Sequence, residues 1–120
     1  MGKKTLVLGA SPNENRYSYA AVSRLTRAEH PTTAVGLRPG KIGEVPIQTG
    51  FPDEKNVDTL TLYVGADNQP PLYDYIFSLE PKRIIFNPGT ENAELARMAK
   101  DRGIETVYGC TLVMLTLGTY

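Results

Sequence analysis

The feature that most constrains the fold is an alternation of short apolar, β-rich segments with helical segments. Helical patterns follow the first, third and fourth apolar segments, and strands separated by helices form parallel sheets with right-handed crossovers. The chain of 120 residues is close to the commonest domain size. We therefore predict an α/β, Rossmann-like single domain over residues 1–120, with a five-stranded, mostly parallel sheet and helices on both faces. The predicted strands are residues 5–8, 32–37, 57–64, 83–87 and 106–108.

Local signals mark the ends of the predicted helices. Ser18 is suited to cap a helix over residues 19–28, and Thr90 is suited to cap the third helix. Pro70 and Pro71 fit the first turn of the second helix, where a missing N–H group does no harm. Gly103 is placed to end the third helix in a left-handed conformation.

Two segments fall outside this alternation. Residues 42–52 contain several glycines and prolines, and they are predicted to be irregular with at most one small edge strand at residues 45–47. The tail over residues 112–117 is apolar and should pack on the body of the protein. The tail could cover the core or a second subunit, so a homo-oligomer remains open.

Composition excludes several classes of protein. Thirteen basic and thirteen acidic residues cancel, which argues against binding nucleic acid or an acidic membrane through bulk charge. No apolar run reaches the ~18 residues of a membrane helix, and the first apolar segment is too short for a signal peptide. We therefore expect a cytoplasmic protein. The single cysteine, Cys110, cannot form an internal disulfide or a thiolate cluster, and no metal site is visible.

The first strand ends in a turn that is typical of a phosphate site. Gly9 closes the strand and permits close approach of a ligand, and a polar loop over residues 11–17 leads into the first helix. At the carboxyl edge of a parallel sheet, the start of such a helix attracts anions. A single glycine departs from the three-glycine dinucleotide fingerprint, so a purely structural turn is the alternative.

The exit of the second strand narrows the ligand class. A domain that binds NAD normally places an acidic residue there, to accept a hydrogen bond from the ribose. This chain has Arg38 and Lys41 instead, and such cations favour an added phosphate, as in NADP or the 3′-phosphate of coenzyme A. A solvated basic turn is the alternative interpretation.

These segments resemble those of the small coenzyme A-binding proteins, relatives of the coenzyme A-binding domain in the succinyl-CoA synthetase α subunit. The most specific match is Val-Leu-Gly-Ala-Ser-Pro-Asn at residues 7–13, followed by Arg-Tyr-Ser-Tyr at 16–19. Weaker matches are Leu-Arg-Pro at 37–39, the Gly-x-x-Asn-Ala-Glu region at 89–99, and Cys110. The resemblance spans almost the whole chain.

The resemblance implies a binding site for coenzyme A or an acyl-CoA, a small-molecule ligand. Its residues are Gly9, Ala10 and Ser11 along the pyrophosphate, Asn13, Arg16 and Ser18 at the helix start, Arg38 and Lys41 at the ribose phosphate and adenine edge, and Tyr63 and Val64 beside the adenine or pantetheine arm.

No set of catalytic residues emerges from the sequence. The only histidine, His30, precedes the second strand and should lie at the edge of the sheet away from the ligand. Cys110 has no histidine base nearby in sequence and is typical of a packed small residue. We therefore predict a coenzyme A-binding protein without evident catalysis. The alternatives are an NADP-binding, oxidoreductase-like domain and a vestigial interaction module in which Tyr17 or Arg16 fills the crevice.

Overall fold

The computed structural model describes residues 2–120 as a seven-stranded sheet in the order β3-β4-β2-β1-β5-β6-β7. The strands are β1 Thr5–Leu8, β2 Thr32–Val35, β3 Gly40–Ile42, β4 Val45–Gln48, β5 Thr59–Leu62, β6 Arg83–Phe86 and β7 Glu105–Tyr108. The helices are α1 Tyr17–Arg27, α2 Tyr73–Ser78, α3 Ala93–Asp101 and α4 Thr111–Leu117. Short 3-10 turns span Ala66–Asn68 and Pro70–Leu72.

The α/β, Rossmann-like prediction is confirmed, but the sheet has seven strands rather than five. The two additional strands form a hairpin: β4 coincides with the small edge strand expected at residues 45–47 but lies inside the sheet, parallel to β2, and β3, which was not predicted, runs antiparallel to β4 at the edge. Pro46 lies in β4 beyond the registered pairs Ala34↔Ile47 and Val35↔Gln48, so its missing N–H group does not interrupt the ladder to β2.

Both faces of the sheet carry helices, as predicted. On one face, Leu6 and Leu8 of β1 are buried in a cluster with residues of α2 and α3. On the other face, Val7 is buried with Val22 of α1, because neighbouring side chains on a strand point to opposite sides. Leu115 of α4 packs against this second cluster, which confirms that the tail packs on the body. Within residues 2–120, no helix is long and apolar enough to cross a membrane.

The structure overturns two of the predicted helix caps. Helix α1 begins earlier than expected, and the extended residue before it is Arg16, so Ser18 is the second helical residue and caps nothing. The N-cap of α3 is Asn92, whose side chain accepts a hydrogen bond from the Leu95 N–H at 3.2 Å. Thr90 instead donates to the Asn87 carbonyl at 2.8 Å. The third prediction is confirmed: Gly103 follows α3 with φ of +76°.

His30 lies at the amino edge of the sheet, away from the strand exits, as predicted. Its Nδ1 accepts a hydrogen bond from the Lys3 backbone N–H at 2.9 Å, and its ring packs against the Tyr120 ring in a tilted arrangement with the centroids 4.8 Å apart. Burial, and then the nearby Lys3, lower the pKa of His30 below its usual 6.5. The neutral imidazole is therefore part of the folded state.

This lowered pKa predicts a pH-dependent stability. Below about pH 6.5 the unfolded chain binds a proton that the folded chain resists, so the free energy of unfolding should fall as the pH decreases. One histidine gives a slope of at most about 1.4 kcal/mol per pH unit. Urea unfolding between pH 5 and 8 measures the slope. In His30→Asn, whose amide oxygen keeps an acceptor near the Lys3 N–H, the slope should flatten; an unchanged slope would contradict the assignment.

Candidate ligand-binding site

The exits of β1, β2 and β5 pack closely at the carboxyl edge of the sheet. Gly9 ends β1 with φ of +97°, and a Cβ atom there would lie 2.8 Å from the Tyr63 carbonyl carbon and 2.9 Å from its oxygen. A Cβ atom on Gly36, just after β2, would collide with the Ala10 carbonyl oxygen. The segment that leaves β1 therefore packs so closely against the exits of β2 and β5 that only glycine fits at positions 9 and 36.

The cationic segment after β2 lies beside the loop between β1 and α1. A Cβ atom on Gly40 would lie 2.9 Å from the Pro12 Cβ, so the Gly40 backbone lies directly against the Pro12 ring. Arg38 precedes this contact and Lys41 follows it, and both side chains are exposed. The structure thus brings Arg38 and Lys41 to the same edge of the sheet as residues 9–13.

The backbone N–H groups of Gly9 and Ala10 are occupied within the fold. Both donate to the Val35 carbonyl, each at 2.9 Å. Gly9 and Ala10 therefore shape the turn and are not free donors. Ser11 is half-buried, and its Oγ accepts from the Asn13 N–H at 3.1 Å, while the Asn13 Oδ1 accepts from the Asn15 N–H at 2.9 Å.

The amino end of α1 is open to an anion. The first N–H groups of any helix lack acceptors within the helix, and no side chain caps α1, whose first turn contains no acidic residue. By contrast, α3 has both the Asn92 cap and Glu94 in its first turn. Arg16 stands exposed at the start of α1, and Tyr17 is 77% exposed, so neither side chain fills the crevice.

The basic side chains at this edge have no acidic partners. The one ion pair between side chains of residues 2–120 joins Lys4 to Glu54 at 3.0 Å, so Arg16, Arg38 and Lys41 lie outside any ion pair. No acidic residue occupies the exit of β2. Arg16, Arg38 and Lys41 therefore outnumber Glu14, the acidic residue of the loop between β1 and α1, although the formal net charge of the whole chain is zero.

Tyr63 and Val64 follow β5 and belong to opposite faces of the sheet. Tyr63 packs against the cluster beneath α1, and Val64 packs against the cluster beneath α2 and α3. The Tyr63 hydroxyl is buried and has no hydrogen-bond partner at bonding geometry, and burial raises the pKa of Tyr63. The backbone of Tyr63, rather than its ring, is the part that contacts Gly9.

Comparison with known proteins identifies the family. The model of a coenzyme A-binding domain matches residues 3–116, which is almost the whole chain. The protein belongs to the coenzyme A-binding domain family. No curated protein sequence matches this coenzyme A-binding domain.

Solved structures resemble this chain along nearly its full length. A crystal structure of an uncharacterized protein is 50% identical, covers 100% of this chain and 99% of its own, and gives a TM-score of 0.97. A protein from Thermus thermophilus is 16% identical, with coverage of 99% and 91% and a TM-score of 0.86. A hypothetical protein from Pyrococcus horikoshii OT3 is 18% identical, with coverage of 93% and 80% and a TM-score of 0.83. The latter two show that the fold is shared.

Sequence reasoning missed Gln69, which joins the exits of β5 and β6. Its side chain is fully buried, and its Nε2 donates to the carbonyls of Val64 and Thr90, each at 2.8 Å. Its Oε1 accepts from the Asn92 Nδ2 at 2.9 Å. A glutamine before two prolines has the composition of a surface loop, so no pattern in the sequence indicates this role.

Sequence reasoning also missed Asn87, which follows β6 and is buried. Its Nδ2 donates to the Thr61 Oγ1 and the Leu62 carbonyl, each at 2.7 Å. Its Oδ1 accepts from the Thr111 N–H at 2.9 Å. Asn87 thereby caps the amino end of α4 from a distance, since Cys110 at the N-cap position makes no side-chain bond to α4.

The described residues bring together no recognisable catalytic group. Cys110 is half-buried at the start of α4, and His30 lies at the opposite edge of the sheet. No three His, Cys, Asp or Glu side chains of residues 2–120 are grouped to hold a metal ion. The arrangement at the carboxyl edge is suited to holding an anionic ligand.

Proposed function

We propose that the protein binds coenzyme A or an acyl-CoA in the crevice at the carboxyl ends of β1, β2 and β5. Family membership supports this proposal, and the observation that carries it is the pairing of an uncapped α1 with cations that lack acidic partners. Backbone N–H groups and the positive end of a helix favour phosphate, and unpaired arginines add strong donors.

The side chains at this edge fit the chemistry of the ligand. In the proposal, Ser11, Asn13, Arg16 and Ser18 hold the pyrophosphate at the start of α1, and Gly9 and Ala10 shape the turn that admits it. Arg38 and Lys41 face the 3′-phosphate on the ribose and the adenine edge. Tyr63 and Val64 border the adenine or the pantetheine arm. When bound, coenzyme A supplies a thiol that carries acyl groups, and we propose no reaction for the chain itself.

NADP is the second candidate, because its extra phosphate would also suit Arg38 and Lys41. NAD is disfavoured, since the β2 exit has no carboxylate to accept from the ribose hydroxyl. An interaction module without a ligand is also disfavoured, because the Arg16 and Tyr17 side chains are exposed and are not packed into the fold at this edge. Calorimetric titration with coenzyme A, dephospho-coenzyme A, NADP and NAD separates these cases. Equal binding of NAD and coenzyme A would contradict the role given to the two cations.

Arg38→Ala tests the 3′-phosphate contact directly. A lost charge-assisted hydrogen bond should weaken coenzyme A binding by about 1.5–3 kcal/mol, a roughly 10- to 150-fold rise in Kd. Binding of dephospho-coenzyme A should stay nearly unchanged, because it lacks that phosphate. Arg27→Ala, which removes an exposed arginine from the far end of α1, is the matched control and should leave both affinities unaltered. Equal losses for both ligands would remove Arg38 from the 3′-phosphate.

A further inference from the structure

The two edges of the sheet are built differently. The outer strand at one end, β3, has three residues, follows Pro39 and contains Lys41, and such features discourage pairing with another strand. The outer strand at the other end, β7, has four residues, contains no proline or lysine, and pairs only with β6. Its single charge is Glu105 at its start. Edge β7 therefore lacks the usual protection against strand addition.

The outward groups of β7 can be read from its hydrogen bonds. The Glu105 N–H donates to the Lys82 carbonyl at 3.0 Å, and the Gly109 N–H donates to the Phe86 carbonyl at 3.1 Å. Backbone groups alternate in direction along a strand, so the N–H and C=O groups of Thr106 and Tyr108 point away from β6. Another extended chain is the partner that satisfies such a row of groups.

The exposed side of α4 is apolar, and α4 lies on the same face of the sheet as Val107 of β7. Val113 and Leu117 are one helical turn apart and are 52% and 69% exposed, while Thr111 and Leu115 face the protein. A Cβ atom on Gly109, the first residue after β7, would lie 3.5 Å from the Val107 Cγ1 and 3.8 Å from the Met114 sulfur, so Gly109 lies between these two side chains. Residues 106–120 contain no charged side chain, although charged residues make up 22% of the chain.

We propose that a second copy of this chain docks on β7 and α4, with the two β7 strands antiparallel about a two-fold axis. The outward groups of Thr106 then pair with those of Tyr108 in the other copy, which places the two Val107 residues opposite each other on the axis. Glu105 faces Gly109 of the other copy, so no like charges meet. The exposed Val113 and Leu117 side chains of both copies then lie on one face of the joined sheet, the face that carries the two Val107 side chains, and residues 106–120 bring no charge to it.

A two-fold interface is favoured over a different partner because both of its components are self-complementary. When two copies pair their β7 strands about a two-fold axis, neither copy keeps an unpaired β7 edge. A third copy therefore cannot add to the β7 edge. A protein of another sequence that docked on α4 would meet no charge by which to be recognised. The proposed interface lies at the β7 edge of the sheet, at the opposite end from β3, and does not depend on which ligand the protein binds.

Hydrogen exchange on the unaltered protein tests the strand pairing. At about 100 μM, the Thr106 and Tyr108 amides should exchange slowly, although both point away from β6. Dilution to about 1 μM should accelerate these two amides, while the Val107 amide, which bonds within the sheet, stays protected. Fast exchange of Thr106 and Tyr108 at the higher concentration would overturn the proposal.

Sedimentation velocity on variants tests the same interface through mass. The unaltered protein should sediment at twice the monomer mass. Tyr108→Pro removes an outward N–H that the sheet does not use, and Leu117→Lys adds a charge to an exposed position; each should give monomers with circular dichroism unchanged. Leu37→Lys, a similar change at an exposed leucine beyond β2, should remain a dimer. A monomeric unaltered protein, or dimers that persist in both variants, would overturn the proposal.

Discussion

Gly9→Ala is expected to lower the free energy of unfolding by about 3 kcal/mol and to abolish ligand binding at the crevice. The substituted residue would have to keep φ of +97°, and its methyl carbon would lie 2.8 Å from the Tyr63 carbonyl carbon. A left-handed non-glycine residue costs about 1–2 kcal/mol, and overpacking against backbone that cannot yield adds about 1–3 kcal/mol. Relief requires the β1 and β5 exits to separate, which widens the turn proposed to hold the pyrophosphate.

Substitutions at two other glycines distinguish the free-energy cost of backbone strain from the cost of a steric clash. Gly43 has φ of +61° and nothing within 4 Å of a Cβ atom, so Gly43→Ala should cost only the conformational strain. Gly65 has neither a left-handed φ nor a near neighbour, and Gly65→Ala should be neutral or slightly stabilising. Urea unfolding of the three variants measures the series, and calorimetry with coenzyme A follows binding. A loss for Gly9→Ala no larger than that for Gly43→Ala would contradict the close packing of the exits.

Asn87→Ala is expected to lower the free energy of unfolding by about 3–5 kcal/mol. The substitution leaves the Leu62 carbonyl and the Thr111 N–H buried without their partner, and each unsatisfied group costs about 1–3 kcal/mol. The cavity left by the side chain adds to the loss. Because the Thr111 N–H begins α4, the helix should also loosen from the sheet.

Chemical denaturation measures the Asn87→Ala loss, and hydrogen exchange along α4 measures the loosening. Asn68→Ala, at an exposed asparagine in the 3-10 turn Ala66–Asn68, is the control and should change the free energy of unfolding by less than about 0.5 kcal/mol. If the two variants lost similar stability, the buried hydrogen bonds of Asn87 would not be holding α4 in place.

The sequence predicted the class of fold because the parallel strands are short and nearly uniformly apolar. The pattern at residues 5–8 and 83–87 needs no knowledge of distant contacts. Strand β3 was missed, and β4 was expected only as a small edge strand, because Pro46 and the glycines around it are typical of loops; the place of this hairpin in the sheet depends on pairing with β2, which lies outside the segment. Helix caps failed for a related reason: Ser18 and Thr90 are good capping residues, but the tertiary structure starts the helices elsewhere.

Local chemistry in the sequence was enough to select some of the candidate residues, whose role stays a prediction. Gly9, Arg38 and Lys41 are conspicuous in the sequence, and the structure places them at one edge of the sheet through the Gly40 contact with Pro12. The use of the Gly9 and Ala10 N–H groups by Val35 was not predictable, because it depends on the register between β1 and β2. Gln69 and Asn87 form hydrogen bonds with residues that are far away along the chain, and no local sequence pattern predicts such bonds.

The buried Gln69 gives the crevice two walls of unequal stiffness. The exits of β5 and β6 are tied to each other through its amide, so ordering them on ligand binding should require little entropy. The opposite wall, residues 11–16, is held mainly by bonds between near neighbours such as Arg16 N–H to Asn13 carbonyl at 3.0 Å. Any conformational entropy lost on binding should therefore be concentrated in that wall, and its length and composition should set the affinity more than the fixed wall does.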